Sequence, residues 1–292
     1  MSRSEPVAVL GAGGRMGLGM ATNIADAGLT LHAWNRTREK AEPLSEHGAR
    51  LFDTPAQAAA GARTIVTMLG DGDAVLDAMQ GDRGALSDAT EDCVWVQMST
   101  IGERATSRCI ELACERGVGF VDAPVLGTQQ PAAEGKLVVL ASGKQALRER
   151  VQPILDAVGQ RTMWIGEAGA GSRLKLVTNA WIVAVVEGAA ETVALAEGLG
   201  LDPSLFLQAI ENGPLDSPYV RMKAKAMIER DFAPTFALRW ATKDAVLASE
   251  SAREHGLDLP ALDAIAQRMQ QVVPEHGDED LSAIYLSSTP RS

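Results

Sequence analysis

The sequence predicts an α/β unit built on a mainly parallel sheet, followed by an all-α unit. Three observations carry that prediction. Up to about residue 165, short β-branched runs alternate with segments whose apolar residues recur at helical spacing, the signature of βαβ units. From about residue 168 strand-like runs almost vanish. Between the two lies the glycine-rich GEAGAG (166–171), and then one long helical stretch, 175–200. The domains are therefore set at 1–166 and 167–292.

The strand-like runs are PVAVL (6–10), LTLHAW (29–34), TIVTML (64–69), CVWVQM (93–98), GVGFVDA (117–123), LVVLAS (137–142) and TMWIG (162–166). Segments such as 16–28 and 103–117 supply the helices between them. In the second part, Gly198 and Gly200 stop the long helix. Asp202-Pro203 then reads as an N-cap with proline at the first helical position. Further helices are expected over 234–256 and 260–273, with a loose tail after residue 285.

A chain of 292 residues suits two domains, and 46% hydrophobic residues are enough for a sizeable core. The net charge of −11 argues against nucleic acid or an anionic membrane as the main partner. Any anionic ligand must be attracted locally, against the field of the whole molecule. Cys93, Cys109 and Cys114 are odd in number and scattered, so they suggest neither a disulfide framework nor zinc. The histidines also lie far apart, and no metal site is visible. The N-terminus lacks a secretory layout. The longest uncharged apolar run, 176–186, is short of the ~18–20 residues of a membrane span. A reducing cytoplasm is the expected setting.

The stretch VAVLGAGGRMGLGMATN (7–23) follows the first strand and opens a helix. Gly11, Gly13, Gly14 and Gly17 allow a tight turn and close backbone approach, with Ala12, Arg15 and Met16 completing the loop. A pyrophosphate could sit there on the helix N-terminus. The Gly-x-Gly-x-x-x-Gly spacing is one residue longer than the commonest dinucleotide pattern. At the end of the second strand stand Asn35, Arg36 and Thr37, where an NAD-binding protein usually has an acid for the ribose 2′-hydroxyl. An arginine with amide and hydroxyl neighbours would instead hold a 2′-phosphate. NADP(H) is therefore expected, with NAD(H) as the alternative. Arg36 would equally suit a solvated helix start.

Lys175 is planted in an apolar helix, and an ammonium is costly to bury without a partner. Asn179 is four residues on and shares its face. Near the expected domain junction, a common place for ligands, such a lysine can protonate a carbonyl oxygen as hydride arrives from a nicotinamide. Partial desolvation would bring it toward the working range of a general acid. Asn179 can orient it or bond the substrate. A snorkelling lysine with a wet tip is the plain alternative.

Taken together, the sequence resembles the β-hydroxyacid dehydrogenases. The resemblance rests on the glycine loop with Met20, Ala21 and Asn23, then Asn35-Arg36-Thr37, Met68-Leu69, Ser99-Thr100 and Asp122-Ala123-Pro124-Val125. Gly169-x-Gly171-x-x-x-Lys175-x-x-x-Asn179 and Lys243-Asp244 follow in family order. It implies a Rossmann domain, a long interdomain helix and an all-helical second domain that also makes subunit contacts, hence a homodimer or homotetramer. It implies Lys175 as catalytic acid/base with Asn179 as companion. Thr100 would lie near the nicotinamide and its ribose, and Met68 and Leu69 on the adenosine and ribose side. Lys243 would reach the cofactor. The loop from Asp122 to Thr128 would hold a small carbonyl or hydroxy-acid substrate, with Ser99 also at the substrate. Singly, Ser99-Thr100 could cap the helix that starts near Glu103, Lys243-Asp244 could be a solvated pair, and Asp122 a strand-ending residue that touches no ligand.

One departure bears on the substrate. The family loop usually continues with serine after Ala-Pro-Val, and here Leu126-Gly127-Thr128 stands instead. The N–H groups of Gly127 and Thr128 and the Thr128 hydroxyl remain to meet a carboxylate. The lost contact would cost about 1–2 kcal/mol for a substrate that needed it; otherwise the pocket takes a less charged one. The Pro-Ala-Ala-Glu-Gly-Lys-Leu run (131–137) resembles the glyoxylate/succinic semialdehyde reductase branch. NADPH-dependent reduction of a small aldehyde or 2-oxo acid is the first expectation. A 3-hydroxyisobutyrate-type dehydrogenase, an imine reductase and a non-catalytic dinucleotide-binding module are the others.

Overall fold

The computed structural model describes residues 5–288. The chain divides after Lys175 into two compact units. In the first, strands and helices alternate: β1 Val7–Leu10, α1 Gly17–Asp26, β2 Leu31–Trp34, a 3₁₀ segment Arg38–His47, β3 Arg50–Phe52, α2 Pro55–Ala59, β4 Thr64–Thr67 and α3 Gly72–Met79. There follow β5 Val94–Gln97, α4 Gly102–Glu115, β6 Gly119–Asp122, β7 Val125–Leu126, α5 Gln129–Ala133, β8 Leu137–Gly143, α6 Arg148–Val158 and β9 Gly159–Trp164.

All nine strands form one sheet in the order β3-β2-β1-β4-β5-β6-β8-β7, with β9 also on β8. Pairing is parallel from β3 through β6. It turns antiparallel where β8 meets β6 and β7. Seven of the nine strands begin or end within a few residues of the expected runs; the short β3 and β7 correspond to none of them. A four-residue strand buried on both faces reads as a plain apolar run, which is why VAVL and VWVQ were visible. Alternate residues feed two cores. Val7, Val9, Met20, Ile24 and Val96 belong to one, and Ala8, Leu10, Ile65, Trp95 and Phe120 to the other. Trp95 meets Phe120 edge-on at 5.1 Å between centroids.

The helix α7, Ala170–Gly198, starts in the first unit and continues into the second. The division therefore falls a turn and a half inside the helix rather than at 166/167. The reason is that the first turn of α7 is bonded to the sheet through Ser172 and Gly171. By length and composition alone α7 is long and apolar enough to cross a membrane. The uncharged run 176–186 understates it, because helical continuity extends well beyond that run.

The second unit adds α8 Ser204–Ile210, α9 Pro218–Glu229, α10 Leu238–Glu254, α11 Pro260–His276 and a 3₁₀ segment Leu281–Ser287. α8 begins one residue later than expected, with Asp202 Oδ1 accepting the Ser204 N–H at 2.9 Å. The tail is better anchored than expected. Arg268 donates to the Ser287 hydroxyl at 3.0 Å, and that hydroxyl donates to the Ile284 carbonyl at 2.7 Å. Residues 289–292 lie outside the described residues. Val183, Val186, Ala190, Leu238, Met269 and Ile284 belong to the apolar core of this unit.

Inside that core lies an ion pair, Lys223 Nζ to Asp280 Oδ1 at 2.6 Å, both side chains 2% exposed. Thr235, Phe236 and Ser282 donate to the remaining Asp280 lone pairs. Burial works to raise the Asp280 carboxyl, but Lys223 and these donors overcome it and hold it at about 2. That lies below its ordinary 3.8, so folding favours the carboxylate. The resulting stability, about 2 kcal/mol, is present above roughly pH 4 and lost as pH falls toward 2. Lys223→Met, which strands the acid, should lower the unfolding free energy by about 3 kcal/mol, read by urea titration at pH 7. The same titration from pH 5 to 2 should show native stability falling more steeply than in Asp280→Asn.

Candidate functional site

In a doubly wound sheet, ligands bind beyond the carboxyl ends of the strands where the strand order reverses. Here that point lies between β1 and β4. The glycine loop emerges there. Gly11 and Ala12 donate to the Trp34 carbonyl at 2.9 and 3.1 Å, and Gly14 donates back to Gly11 at 2.9 Å. Gly11 has φ +88°, and a Cβ on it would stand 2.2 Å from the Met68 carbonyl oxygen. A Cβ on Gly17 would stand 2.0 Å from the Gly11 carbonyl oxygen. These two glycines let the loop fold back onto itself and onto Met68. α1 opens at Gly17 without a side-chain cap, and its positive dipole end suits a pyrophosphate. The cradle fits a dinucleotide. Arg15 is exposed beside it, and Gly13, Gly14 and Met16 are partly buried.

Several expected contacts have other duties. The Asn35 side chain accepts the Gly13 N–H at 3.2 Å and donates to the Thr37 carbonyl at 2.7 Å. Asn35 therefore ties the glycine loop to the end of β2, a positioning task rather than a phosphate contact. Arg36 and Thr37 are exposed. Ser99 is fully buried, and its hydroxyl accepts the Leu69 N–H at 2.8 Å. It shapes the Met68-Leu69 turn instead of facing a substrate. Nor does the Ser99-Thr100 pair cap α4, which starts at Gly102 without a side-chain cap. Thr100 is half-buried next in line.

Gln97 is a residue that sequence reasoning passed over. It is wholly buried; its amide oxygen accepts the Ser99 N–H at 2.7 Å, and its amide nitrogen donates to the Ser99 carbonyl at 2.8 Å. Thr67 joins it at 3.3 Å and receives the Trp95 indole N–H at 3.0 Å. This ladder fixes the ends of β4 and β5 under the loops. The only signal in the sequence was a glutamine inside the apolar run CVWVQM.

The loop after β6 is held differently. β7 pairs Val125 and Leu126 with Val139 and Val138. Leu126 and Thr128 are half-buried and Gly127 is exposed. α5 follows Thr128, and Asn23 of α1 donates to the Ala132 carbonyl at 2.8 Å. Thus the asparagine of the glycine-loop motif also steadies the segment expected to hold the substrate. Asp122 is turned inward, onto the start of α7.

Lys175 is buried, 8% exposed, on α7. Asn179, one turn on, is 2% exposed, in the second unit. Its amide nitrogen donates to Asp244 Oδ2 at 2.7 Å, which sets the amide orientation. Its Oδ1 has no hydrogen-bond partner among the described residues. Lys243 Nζ lies 3.0 Å from Asp244 Oδ1. So Lys243 and Asn179, expected at the site for separate reasons, lean on one buried carboxylate. Asp244 was legible only as half of a lysine-aspartate pair. Among the described residues no cluster suits a metal ion.

Comparison with known proteins agrees with this geometry. Residues 6–166 match the NAD binding domain of 6-phosphogluconate dehydrogenase, and residues 169–287 match the NAD-binding domain of NADP-dependent 3-hydroxyisobutyrate dehydrogenase. The chain is 31% identical to glyoxylate/succinic semialdehyde reductase 2 of Arabidopsis thaliana, over 93% of this chain and 76% of that one. It is 30% identical to glyoxylate/succinic semialdehyde reductase 1 of the same plant, over 93% and 94%. The Mycobacterium tuberculosis 3-hydroxyisobutyrate dehydrogenase structure with L-serine superposes with TM-score 0.86 at 25% identity, covering 97% and 99%. With both family models matched over nearly the whole chain and relatives at 30–31% identity, the chain belongs to the β-hydroxyacid dehydrogenase family of NAD(P)-dependent oxidoreductases.

Proposed function

We propose that the protein is an NADPH-dependent reductase of small aldehydes or 2-oxo acids, of the succinic semialdehyde and glyoxylate type. The observation that carries this reading is the buried Lys175, one helical turn from an asparagine whose amide is oriented by Asp244. A bound dihydronicotinamide supplies the hydride. Lys175 gives a proton to the carbonyl oxygen as negative charge develops there. Asn179 offers its amide oxygen to the ammonium or to the product hydroxyl.

The cofactor preference rests on the end of β2. The residues that follow it, Asn35, Arg36 and Thr37, include no acid to accept a ribose 2′-hydroxyl. The neighbouring Arg38 is paired with Asp53 at 2.7 Å, and the exposed Arg36 is the cation we assign to a 2′-phosphate. The carboxylate of a semialdehyde or oxo acid would meet the N–H groups of Gly127 and Thr128 and the Thr128 hydroxyl. Leu126 favours a second reading, in which the substrate is an uncharged carbonyl or an imine.

The outer face of α7 supports self-association as a homodimer or homotetramer. Val177, Trp181 and Leu195 are all more than half exposed along it. The three free cysteines suit a reducing cytoplasm.

Lys175→Ala should lower kcat by about 10²- to 10⁴-fold, followed as NADPH absorbance with succinic semialdehyde, glyoxylate, uncharged aldehydes and a cyclic imine in turn. Turnover at the native rate would remove the lysine from the chemistry. A rate confined to the uncharged substrates would select the second reading. Arg36→Ala should raise the KM for NADPH about ten- to a hundredfold and leave that for NADH unchanged. An equal loss with both cofactors would show that Arg36 does not read the 2′-phosphate.

A further inference from the structure

Asp122 ends β6 with its side chain fully enclosed. Its Oδ1 accepts the Ser172 hydroxyl at 2.7 Å and its Oδ2 the Ser172 N–H at 2.8 Å. The Ser142 hydroxyl stands 3.2 Å from Oδ2, and the Gly169 N–H also reaches the carboxylate. Ser142 Oγ in turn accepts the Gly171 N–H at 2.9 Å. The N–H groups of Gly169, Gly171 and Ser172 lie at the opening turn of α7, where no residue of the helix itself can satisfy them. A carboxylate 50 residues away in sequence from Ser172 thus acts as the cap.

The turn is pressed against the sheet at the same point. A Cβ on Gly171 would stand 2.1 Å from the Leu140 carbonyl oxygen of β8. On the other side, Thr106 of α4 places its hydroxyl 3.1 Å from Ser172 Oγ. Burial pushes the Asp122 carboxyl upward, and the hydrogen bonds from Ser172, Ser142 and Gly169 oppose it. The groups directed at it are donors, which match the ionised form.

Ser172 and Lys175 are three residues apart and so lie on one side of the helix. Binding the N–H and the hydroxyl of Ser172 to the two oxygens of one carboxylate fixes the rotation of the helix about its axis, not merely its end. That rotation sets the direction in which Lys175 leaves the backbone. We propose that Asp122 is a positioning residue for proton delivery, which aims Lys175 by clamping the first turn of α7 through Ser172. The proposal rests on Lys175 being the proton donor. A misplacement of about 1 Å at a reacting group can cost on the order of a hundredfold in rate, so a loosened clamp should be visible in turnover without any loss of ligand contacts.

The test is steady-state kinetics on the full chain with succinic semialdehyde, or with the carbonyl of the panel above that is reduced fastest. Native protein, Asp122→Asn, Ser172→Ala and Lys175→Ala are compared. Asp122→Asn should bind NADPH as the native protein does and keep its carbonyl KM. Its kcat should fall about tenfold or more, and the pH limb of kcat that belongs to the lysine should move. Ser172→Ala, which keeps the backbone bond, should show a smaller fall in the same sense. If Asp122→Asn does not fold, Ser172→Ala decides by the same two readouts. Native kcat and pH profile in the clamp variants, or a kcat that falls only in step with NADPH-binding capacity while the pH limb stays put, would overturn the proposal. Were Lys175→Ala itself fully active, the proton-donor reading would fail. An inactive Lys175→Ala beside native clamp variants would sink the clamp alone.

Discussion

The bonding of the first turn of α7 to the sheet is the constraint on which the rest of the structure depends. The helix leaves the α/β unit with the N–H groups of Gly171 and Ser172 bound to Ser142 and Asp122, side chains at the ends of β8 and β6. It then runs on to supply the core of the helical unit with Val183, Val186 and Ala190. One continuous element is thus bonded to the sheet at its start, packs in the helical core further on, and bears both Lys175 and Asn179. A buried carboxylate is expensive to desolvate. Its hydrogen bonds from the helix start and from Ser142 offset that cost, and the favourable end of the helix dipole adds to them. An apolar residue at 122 would leave those N–H groups buried and unsatisfied.

A second set of buried polar groups governs the cofactor side. Thr67, Gln97 and Ser99 bond to one another and to backbone at the ends of β4 and β5. Through the Ser99 hydroxyl they set the Leu69 N–H, and Met68 beside it walls the glycine loop. Asn35 holds the same loop from the β2 side. The loop is therefore shaped by side chains that face inward, and it leads into the positive dipole end of α1. Preorganisation of this kind lowers the ordering cost of binding.

In the helical unit, Asp280 and Asp244 play related parts. Asp280 gathers Lys223, Thr235, Phe236 and Ser282 into one buried knot, which fixes how the last 3₁₀ segment packs on α9. Asp244 gathers Asn179 and Lys243. A buried ion pair is weak as a source of stability but well suited to holding a single arrangement.

The alternation of apolar runs with helical periodicity specified the parallel sheet, because backbone geometry imposes periods of 2 and 3.6 on any chain that must bury one face. The change near residue 168 marked the all-helical part for the same reason. The glycine loop, the Lys175–Asn179 spacing and the absence of an acid after β2 were also legible, since each is a local pattern. The functions of Asp122, Gln97, Ser99, Asn35 and Asp244 were not. Each side chain acts on backbone or side-chain atoms distant in sequence, Asp122 on Ser172 and Asn179 on Asp244 among them. A polar residue near a strand end looks the same whether it faces a ligand or the protein interior. Only the tertiary structure decides, because the direction of a side chain depends on what packs over it.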